Sequence, residues 1–353
     1  MSKSIELARP EIRKLVPYSA ASYAEGLTRL NANETPWPAP GTSGSAGLNR
    51  YPPEKPDALT AKLADYYGLA ADNLLVTRGS SEAIDLLIRS FCSAGKDAIV
   101  ICPPTFGMYR VYADIQGARV HEIPLEAEND FALDADSIIR NWPADGKLLF
   151  ICSPNNPTGN SFSTAQINLL ATLLSGRAIV VVDAAYAEFG DETQTNDLLQ
   201  SRDNDNILVL RTLSKAFGLA GARCGALLGP ANIVRMISCI MPPYALATPV
   251  LETVLSCLTP AARAAVAERC TFIREERARL SEALGGLKGV LRVYPSDANF
   301  LLVRFADAAR AMQLARSGGV LIRDFSRQIP GCLRITVGTT EENDQLLQSL
   351  EEL

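Results

Sequence analysis

Two apolar stretches, AIVVVDAAY at 178–186 and ILVLRTLSK at 207–215, decide how this chain folds. Each begins with a run of Val, Ile and Leu, which is typical of a strand buried on both faces of a mostly parallel sheet. Each run leads into polar residues, with Asp183 closing the first and Lys215 lying just beyond the second. The pattern therefore predicts two buried strands whose carboxyl ends carry charged groups.

Similar apolar runs occur on both sides of these two and set the fold class. Five further strands are expected, in LLVTRG (74–79), AIVICPP (98–104), RVHEIPL (119–125), LLFICSP (148–154) and CGALLGP (224–230). Between strands, SSEAIDLLIRSF (80–91) and STAQINLLATLLS (163–175) carry apolar residues at helical spacing after a Ser or Thr cap. The alternation predicts an α/β fold with a mostly parallel, seven-stranded sheet flanked by helices.

The chain after residue 245 follows a different pattern. A long helical stretch opens at Pro260, three strand-rich segments follow at 290–305, 319–326 and 332–339, and a last helix starts near Glu341. At about 150 residues per domain, 353 residues suit two domains. We predict an arm at 1–30 that packs with the small domain or a partner subunit, a large domain at 31–245, and a smaller α+β domain at 246–353.

The composition indicates which kinds of partner to expect and in which cellular compartment the protein works. The net charge is −5 and no dense basic run occurs, so neither nucleic acid nor an anionic membrane is expected as a partner. The most apolar stretch, 236–258, is interrupted by three prolines and a Glu, which favours buried loop and helix over a membrane span. Eight cysteines without a CxxC pair suggest free, buried thiols in a reducing cytoplasm.

The single histidine, His121, lies in an alternating segment that predicts an exposed or edge strand. One histidine cannot supply a zinc site built from His ligands, and nothing around it suggests a catalytic triad. We therefore predict no metal site.

In open α/β sheets, ligands bind beyond the carboxyl ends of the strands, so the residues that follow each strand are the candidates for function. Those residues are Ser80, Ser81, Phe106, Asn156, Asp183, Tyr186, Ser214, Lys215 and Arg223. Each taken singly has an ordinary structural explanation, such as a helix cap, a core ring or a turn amide. Together they suit a ligand that has an aromatic ring, a phosphate and an aldehyde, which describes pyridoxal phosphate.

Three of these groups have a physical reason to act on such a ligand. An acid at the end of a buried strand, Asp183, is unfavourable unless a cationic or protonated partner meets it. Lys215 lies close in sequence to another cation, Arg223, which favours a lowered pKa and action as nucleophile and base. Backbone N–H groups at the helix start near Ser80 suit an anion.

Several motifs in their joint order resemble the pyridoxal-phosphate aminotransferases of fold type I. The most specific are NNPTG (155–159), DAAY (183–186) and SKAFGLAGAR (214–223). A wider set resembles the histidinol-phosphate aminotransferases in particular: PY (17–18), LNANETP (30–36), RYPPEKP (50–56), TRGSSEAID (77–85), PPTFGMYR (103–110), SDANFLLVRF (296–305), LIRDFS (321–326) and LRITVGT (333–339). The resemblance extends over most of the chain.

The resemblance implies a role for each residue around the cofactor ring. Lys215 would bind the cofactor covalently and later carry the proton between substrate and cofactor. Asp183 would pair with the protonated ring nitrogen. Tyr186 and Asn156 would hydrogen-bond the phenolic oxygen, and Phe106 would stack on the ring.

The resemblance also implies an anion site and a dimer. Backbone N–H groups of Ser80 and Ser81, with Ser214 and Arg223, would hold the cofactor phosphate. Tyr51 is similar to a family tyrosine that reaches this phosphate from the other subunit, so a homodimer is expected.

For the substrate, Arg334 matches the family's anion-binding arginine, and Arg323 is similar to a second. Two bidentate arginines suit both a phosphate and the carboxylates of glutamate. Tyr18 and the LNANE segment, with Asn33, would line the side-chain pocket.

The implied reaction converts L-histidinol phosphate and 2-oxoglutarate to imidazole acetol phosphate and L-glutamate in histidine biosynthesis. Three alternatives stay open: an aromatic amino-acid aminotransferase, a threonine-phosphate decarboxylase, and a non-catalytic effector-binding module of a transcription regulator. Three departures from the family pattern, GSSE, DAAY and Phe106 in place of a common tyrosine, leave backbone contacts and ring stacking intact.

Overall fold

The computed structural model describes residues 3–18, 21, 27–41, 47–190, 197–199 and 205–353. The strands in these residues are β1 Leu74–Thr77, β2 Ala98–Ile101, β3 Arg119–Glu122, β4 Gly146–Cys152, β5 Ile179–Asp183, β6 Ile207–Thr212, β7 Gly225–Leu228, β8 Val290–Val293, β9 Phe300–Phe305, β10 Arg323–Asp324 and β11 Cys332–Thr336. The α-helices are α1 Pro10–Arg13, α2 Asp57–Tyr67, α3 Ser80–Phe91, α4 Met108–Gln116, α5 Ala135–Arg140, α6 Thr164–Leu173, α7 Ala231–Ser238, α8 Thr248–Cys257, α9 Pro260–Gly285, α10 Ala308–Ser317 and α11 Thr340–Ser349.

The large sheet has seven strands in the order β1-β7-β6-β5-β4-β2-β3. Every neighbouring pair is parallel except those made by β7, which runs antiparallel to both β1 and β6. The prediction of a mostly parallel, seven-stranded sheet is confirmed. The parallel arrangement brings the carboxyl ends of β4, β5 and β6 to one edge, where polar side chains can meet.

The central strands are buried on both faces because helices cover both. Every residue of β5 and β6 is buried, while β3 at the edge of the sheet is half-buried or exposed. On one face of the sheet, a hydrophobic core includes Ile84 of α3 and Ile233 of α7. On the other face, a second core includes Leu63 of α2 and Ile167 of α6. His121 lies in the edge strand, 3.2 Å from an Asp145 carboxylate oxygen, as expected for a surface histidine.

The second sheet has four antiparallel strands in the order β10-β11-β9-β8 and a separate core beneath α9, α10 and α11. Its strands fall within the range predicted for the small domain, whose exact limits stay a prediction. Arg277 in α9 donates to the carbonyl oxygens of Phe189, at 3.1 Å, and Ala298, at 2.7 Å. These bonds join the chain just beyond β5 to the second sheet.

Helix starts follow the sequence with one exception. Thr259 caps α9 ahead of Pro260, and Ser163 forms a capping box with Gln166 at α6. The N-cap of α3 is Gly79 rather than a Ser or Thr, and no side chain caps that helix. Because the usual cap is missing, N–H groups of its first turn stay available to a ligand.

Two other expectations concern the membrane and the thiols. In the described part of the chain no single helix is long and apolar enough to cross a membrane. The pair α8 and α9 reaches that length and composition only together and is bent by 73° at its junction. All eight cysteines are free, and six of them are buried, as predicted.

Candidate active site

A cavity of about 110 Å³ lies at the carboxyl ends of β4, β5 and β6. The nine candidate residues that follow strand ends all line it: Ser80, Ser81, Phe106, Asn156, Asp183, Tyr186, Ser214, Lys215 and Arg223. Cys152, Ala185 and Thr212 complete the lining. Strand ends that are far apart in sequence therefore converge on one small site, as the rule for open α/β sheets requires.

Asp183 is the acid at the bottom of this cavity, and it is 2% exposed. Its Oδ2 accepts a hydrogen bond of 2.8 Å from the Tyr109 hydroxyl, whereas Oδ1 has no partner among the described residues. Burial raises the pKa of Asp183 to about 6, although the Tyr109 hydroxyl, the Ala185 backbone N–H and the Lys215 charge each lower it. A buried carboxylate with one unpaired oxygen is a site for a positively charged N–H donor.

Lys215 presents its amine to the cavity, with Nζ 5.3 Å from the centre of the Tyr186 ring. Partial burial lowers the pKa of Lys215, the positive charges of Arg334 and Arg223 lower it further, and Asp183 opposes them. A lysine held among cations is more readily deprotonated, and a neutral amine is a nucleophile and a base.

Tyr186 and Asn156 are both buried, at 6% and 7% exposed. Burial raises the pKa of Tyr186, so its hydroxyl stays protonated and can donate. Asn156 Oδ1 accepts a hydrogen bond from Nη1 of Arg334, which leaves the amide nitrogen as the group of Asn156 that can donate into the cavity.

The start of α3, Ser214 and Arg223 form an anion-binding corner. Arg223 Nη1 donates to Ser214 Oγ at 3.2 Å and to the Ala220 carbonyl at 3.1 Å. A Cβ added to Gly79, whose φ is +76°, would lie 2.8 Å from Arg223 Nη2. Only glycine therefore lets the guanidinium approach the helix start, where backbone N–H groups and the helix dipole also favour an anion.

Arg334 reaches the rim of the site from the small sheet, where it contacts the lining residue Asn156. Its guanidinium carbon lies 5.2 Å from the ring centres of both Phe300 and Phe325. Its strand β11 pairs with β10 in a register that places Arg323 directly opposite Arg334. Because opposite residues of an antiparallel pair point to the same face, the two predicted substrate arginines form one positively charged patch.

Three predicted residues lie farther out: like Arg334 and Arg323, they do not line the cavity of their own chain. Tyr18 is 65% exposed and lines a different cavity of about 270 Å³ that α2, β1 and α7 also border. Asn33 is exposed and adopts a left-handed φ of 56°. Tyr51 is 52% exposed, its ring stacks on Tyr244 at 4.7 Å, and its N–H donates to Glu34 at 2.7 Å.

Sequence reasoning assigned no role to Tyr109, Cys152 or Thr212. Thr212 Oγ1 donates to Ser214 Oγ at 3.0 Å, and the Tyr109 hydroxyl reaches Asp183 across 74 residues of sequence. Cys152 and Thr212 are the last residues of their strands, a position that could have identified them. Tyr109 lies inside a helix and had no such signal.

Comparison with known proteins agrees with this geometry. Residues 32–350 match the family described as aminotransferase class I and II. The chain is 42% identical to the histidinol-phosphate aminotransferase of Stenotrophomonas maltophilia, over 98% of this chain and 96% of that one. The chain therefore belongs to the class I and II aminotransferases and, within them, to the histidinol-phosphate aminotransferase family.

Two solved structures show how widely the fold is used. The histidinol-phosphate aminotransferase of Sinorhizobium meliloti, in complex with pyridoxal-5'-phosphate, superposes with a TM-score of 0.77 at 22% identity, covering 86% of this chain and 82% of that one. The L-threonine-O-3-phosphate decarboxylase of Porphyromonas gingivalis superposes with a TM-score of 0.72 at 22% identity, covering 86% and 90%. At these identities the likeness concerns the fold, so the choice of reaction must be argued from the site.

Proposed function

We propose that this protein is a pyridoxal-phosphate-dependent transaminase. It converts L-histidinol phosphate and 2-oxoglutarate to imidazole acetol phosphate and L-glutamate, a step of histidine biosynthesis. The observation that carries the proposal is the convergence of Lys215, Asp183 and the anion-binding corner on one cavity, in a chain 42% identical to a histidinol-phosphate aminotransferase over nearly its whole length.

The residues present fit the cofactor group by group. The unpaired Oδ1 of Asp183 suits a protonated ring nitrogen, and Phe106 supplies an aromatic wall. Asn156 and Tyr186 supply donors for the phenolic oxygen. The first turn of α3, with Arg223, supplies the phosphate site. When bound, pyridoxal phosphate supplies an electron sink that stabilises negative charge at the substrate's α-carbon.

Within this site, Lys215 is the group that moves the proton. Its amine lies among Arg334, Arg223 and Asp183, and its lowered pKa favours the neutral form that accepts a proton from the α-carbon. Asp183, which is buried away from water, would hold the ring nitrogen in its protonated state through a charge-assisted hydrogen bond. Tyr186 stays a donor because burial keeps it protonated.

The paired arginines account for two different substrates in one site. L-histidinol phosphate has a phosphate and no carboxylate, whereas L-glutamate has two carboxylates. The guanidinium of Arg334 is held in place by Asn156 and by the rings of Phe300 and Phe325. Exposed Arg323 lies directly opposite and supplies a second guanidinium. Guanidinium forks bind both kinds of anion in bidentate fashion.

A homodimer is part of the proposal. The arm and the segment after it expose large apolar side chains, which in a monomer would face water: Leu15, Val16, Leu27, Leu30, Trp37, Leu48 and Tyr51. Glu34 braces this segment through ion pairs with Arg29, at 3.0 Å, and Arg50, at 2.9 Å. In a dimer Tyr51 would reach the phosphate of the other subunit, and Tyr18 and Asn33 would complete the substrate pocket.

We further propose a cytoplasmic enzyme that acts on small molecules alone, without a nucleic acid or a membrane as partner. The cysteines, all free, suit a reducing compartment.

A product assay tests the proposed reaction against its neighbours. The purified protein, loaded with pyridoxal phosphate, is supplied with 2-oxoglutarate and either L-histidinol phosphate or L-phenylalanine, and glutamate is measured. A third arm supplies L-threonine phosphate, and carbon dioxide is measured. Glutamate formed with far higher kcat/KM from histidinol phosphate supports the proposal. Comparable values for phenylalanine indicate an aromatic aminotransferase, and carbon dioxide release indicates a decarboxylase.

A further inference from the structure

Tyr109 is a buried tyrosine next to the site; it lies in the PPTFGMYR motif (103–110), but sequence reasoning assigned it no role. It lies in the first turn of α4 and is 0% exposed. Its ring stacks on Phe150 of β4, with centres 4.8 Å apart, and meets the edge of Phe106 at 5.6 Å. Both rings fix its orientation, so the direction of its hydroxyl is set by packing.

That hydroxyl is directed at the cofactor's acid. It donates to Asp183 Oδ2 at 2.8 Å, whereas the nearby Cys152 thiol donates to the Pro154 carbonyl at 3.4 Å. A carboxylate has two oxygens, and holding one of them fixes the plane of the group. The remaining oxygen, Oδ1, is buried and has no partner among the described residues.

We propose that Tyr109 is a positioning residue for the reaction: by holding Oδ2 it turns Oδ1 of Asp183 toward the ring nitrogen of the cofactor and favours the charged form of the carboxylate. This inference rests on the proposed function, since it assumes that pyridoxal phosphate occupies the cavity. It goes beyond that function in assigning part of the cofactor's electronic control to a residue that touches neither cofactor nor substrate.

Tyr109→Phe removes the donor and keeps the ring that packs on Phe150 and Phe106. Without the donor, the carboxylate is free to turn, so Oδ1 is no longer held toward the ring nitrogen, and we expect the dissociation constant of pyridoxal phosphate to rise about tenfold. Asp183 also becomes a stronger base and draws the ring proton toward itself. The ring then carries less positive charge. The absorbance of the Lys215-bound cofactor changes with pH, and we expect the midpoint of that change to move to a higher pH.

The experiment measures the dissociation constant of pyridoxal phosphate and the pH midpoint of its absorbance. Both are measured by absorbance titration in wild type, Tyr109→Phe, Asp183→Ala and the double variant. If Tyr109 acts through Asp183, Tyr109→Phe has no further effect in the Asp183→Ala background. Tyr294→Phe is the matched control, because it removes another buried hydroxyl whose ring packs on Phe131 and Arg292 instead. Circular dichroism verifies that each variant is folded.

The outcomes separate this inference from the proposed function. A wild-type protein that binds no pyridoxal phosphate refutes both. A wild-type protein that binds it, with an unchanged midpoint and affinity in Tyr109→Phe, overturns the inference alone. Equal changes in Tyr294→Phe, or additive effects in the double variant, also overturn it because they indicate a general packing effect.

A second perturbation keeps the inference testable if Tyr109→Phe does not fold. Incorporating 3-fluorotyrosine at position 109 preserves the shape and makes the hydroxyl a stronger donor. We expect the midpoint to move to lower pH, opposite to the shift in Tyr109→Phe. A shift in the same direction, or none, contradicts the role assigned to the hydroxyl.

Discussion

The cofactor-free protein is expected to lose stability as the pH rises through about 6, because Asp183 must then become charged in a buried position. Replacing Asp183 with Asn is expected to remove this loss. Asp183 is 2% exposed, and burial raises its pKa from 3.8 to about 6 despite the opposing effects of the Tyr109 hydrogen bond and of Lys215. The unfolded chain gives the carboxyl its ordinary pKa. Between these two values the native protein holds a proton that the unfolded chain has released.

The size of the effect follows from this difference. A shift of about two pH units, at about 1.4 kcal/mol for each unit, amounts to roughly 3 kcal/mol. Because the folded pKa is raised, the stabilising contribution is complete below the unfolded pKa and is lost as the pH rises through about 6. Of the total, about 1.4 kcal/mol is lost between pH 5 and pH 8. Asn carries no proton equilibrium, and any fixed cost of burying its amide is the same at each pH.

Urea unfolding of the cofactor-free wild type and Asp183→Asn, at pH 5 and pH 8 and equal protein concentration, measures this difference. We expect the free energy of unfolding of the variant, relative to wild type, to rise by about 1.4 kcal/mol from pH 5 to pH 8. Asp114→Asn, which changes an exposed carboxylate on α4, is the control and is expected to show no such trend. A difference that is independent of pH, or that falls toward pH 8, refutes the placement of Asp183 as a desolvated acid.

Three further predictions concern the chemistry and the dimer. Lys215→Ala keeps the fold by circular dichroism but loses the absorbance of covalently bound cofactor, because no other amine lines the described cavity; normal turnover in this variant contradicts the mechanism. Arg323→Ala raises KM for histidinol phosphate roughly tenfold, because a charge-assisted contact is lost, and has little effect on KM for phenylalanine. The exposed Arg316→Ala is its control, and equal losses for both substrates would rule out phosphate recognition. Mixing Tyr51→Ala with Lys215→Ala subunits restores up to about a quarter of wild-type activity, since half of the dimers are hybrids with one intact site; no recovery in verified hybrids would exclude Tyr51 from the partner's site.

The sheet could be predicted because its strands are short, apolar and bounded by turn residues. Runs such as AIVVV and ILVL have no amphipathic period, which is the pattern of strands covered on both faces. The order of the strands could not be predicted. Strand β7 lies between β1 and β6 and pairs antiparallel with both, and nothing in its own residues indicates this position. The site could be predicted for a related reason, because its residues follow strand ends.

The contacts that tune the site could not be predicted from one sequence. Tyr109 and Asp183 are 74 positions apart, and Arg334 and Asn156 are 178 apart. Such pairs depend on how helices and sheets pack, and a buried tyrosine in a helix gives the same pattern whether its hydroxyl serves an acid or fills a core. The cap of α3 was misassigned because Ser80 resembles a cap, whereas the N-cap is Gly79, whose φ of +76° favours glycine.

The central claim is that this cavity holds pyridoxal phosphate on Lys215 and accepts histidinol phosphate as amino donor. The most direct measurement is an absorption spectrum of the purified protein with pyridoxal phosphate, titrated separately with L-histidinol phosphate and with L-phenylalanine. The account predicts that the band of the lysine-bound cofactor appears and is replaced by that of the pyridoxamine form at low concentrations of histidinol phosphate only. No lysine-bound band, or an equal response to phenylalanine, would contradict it.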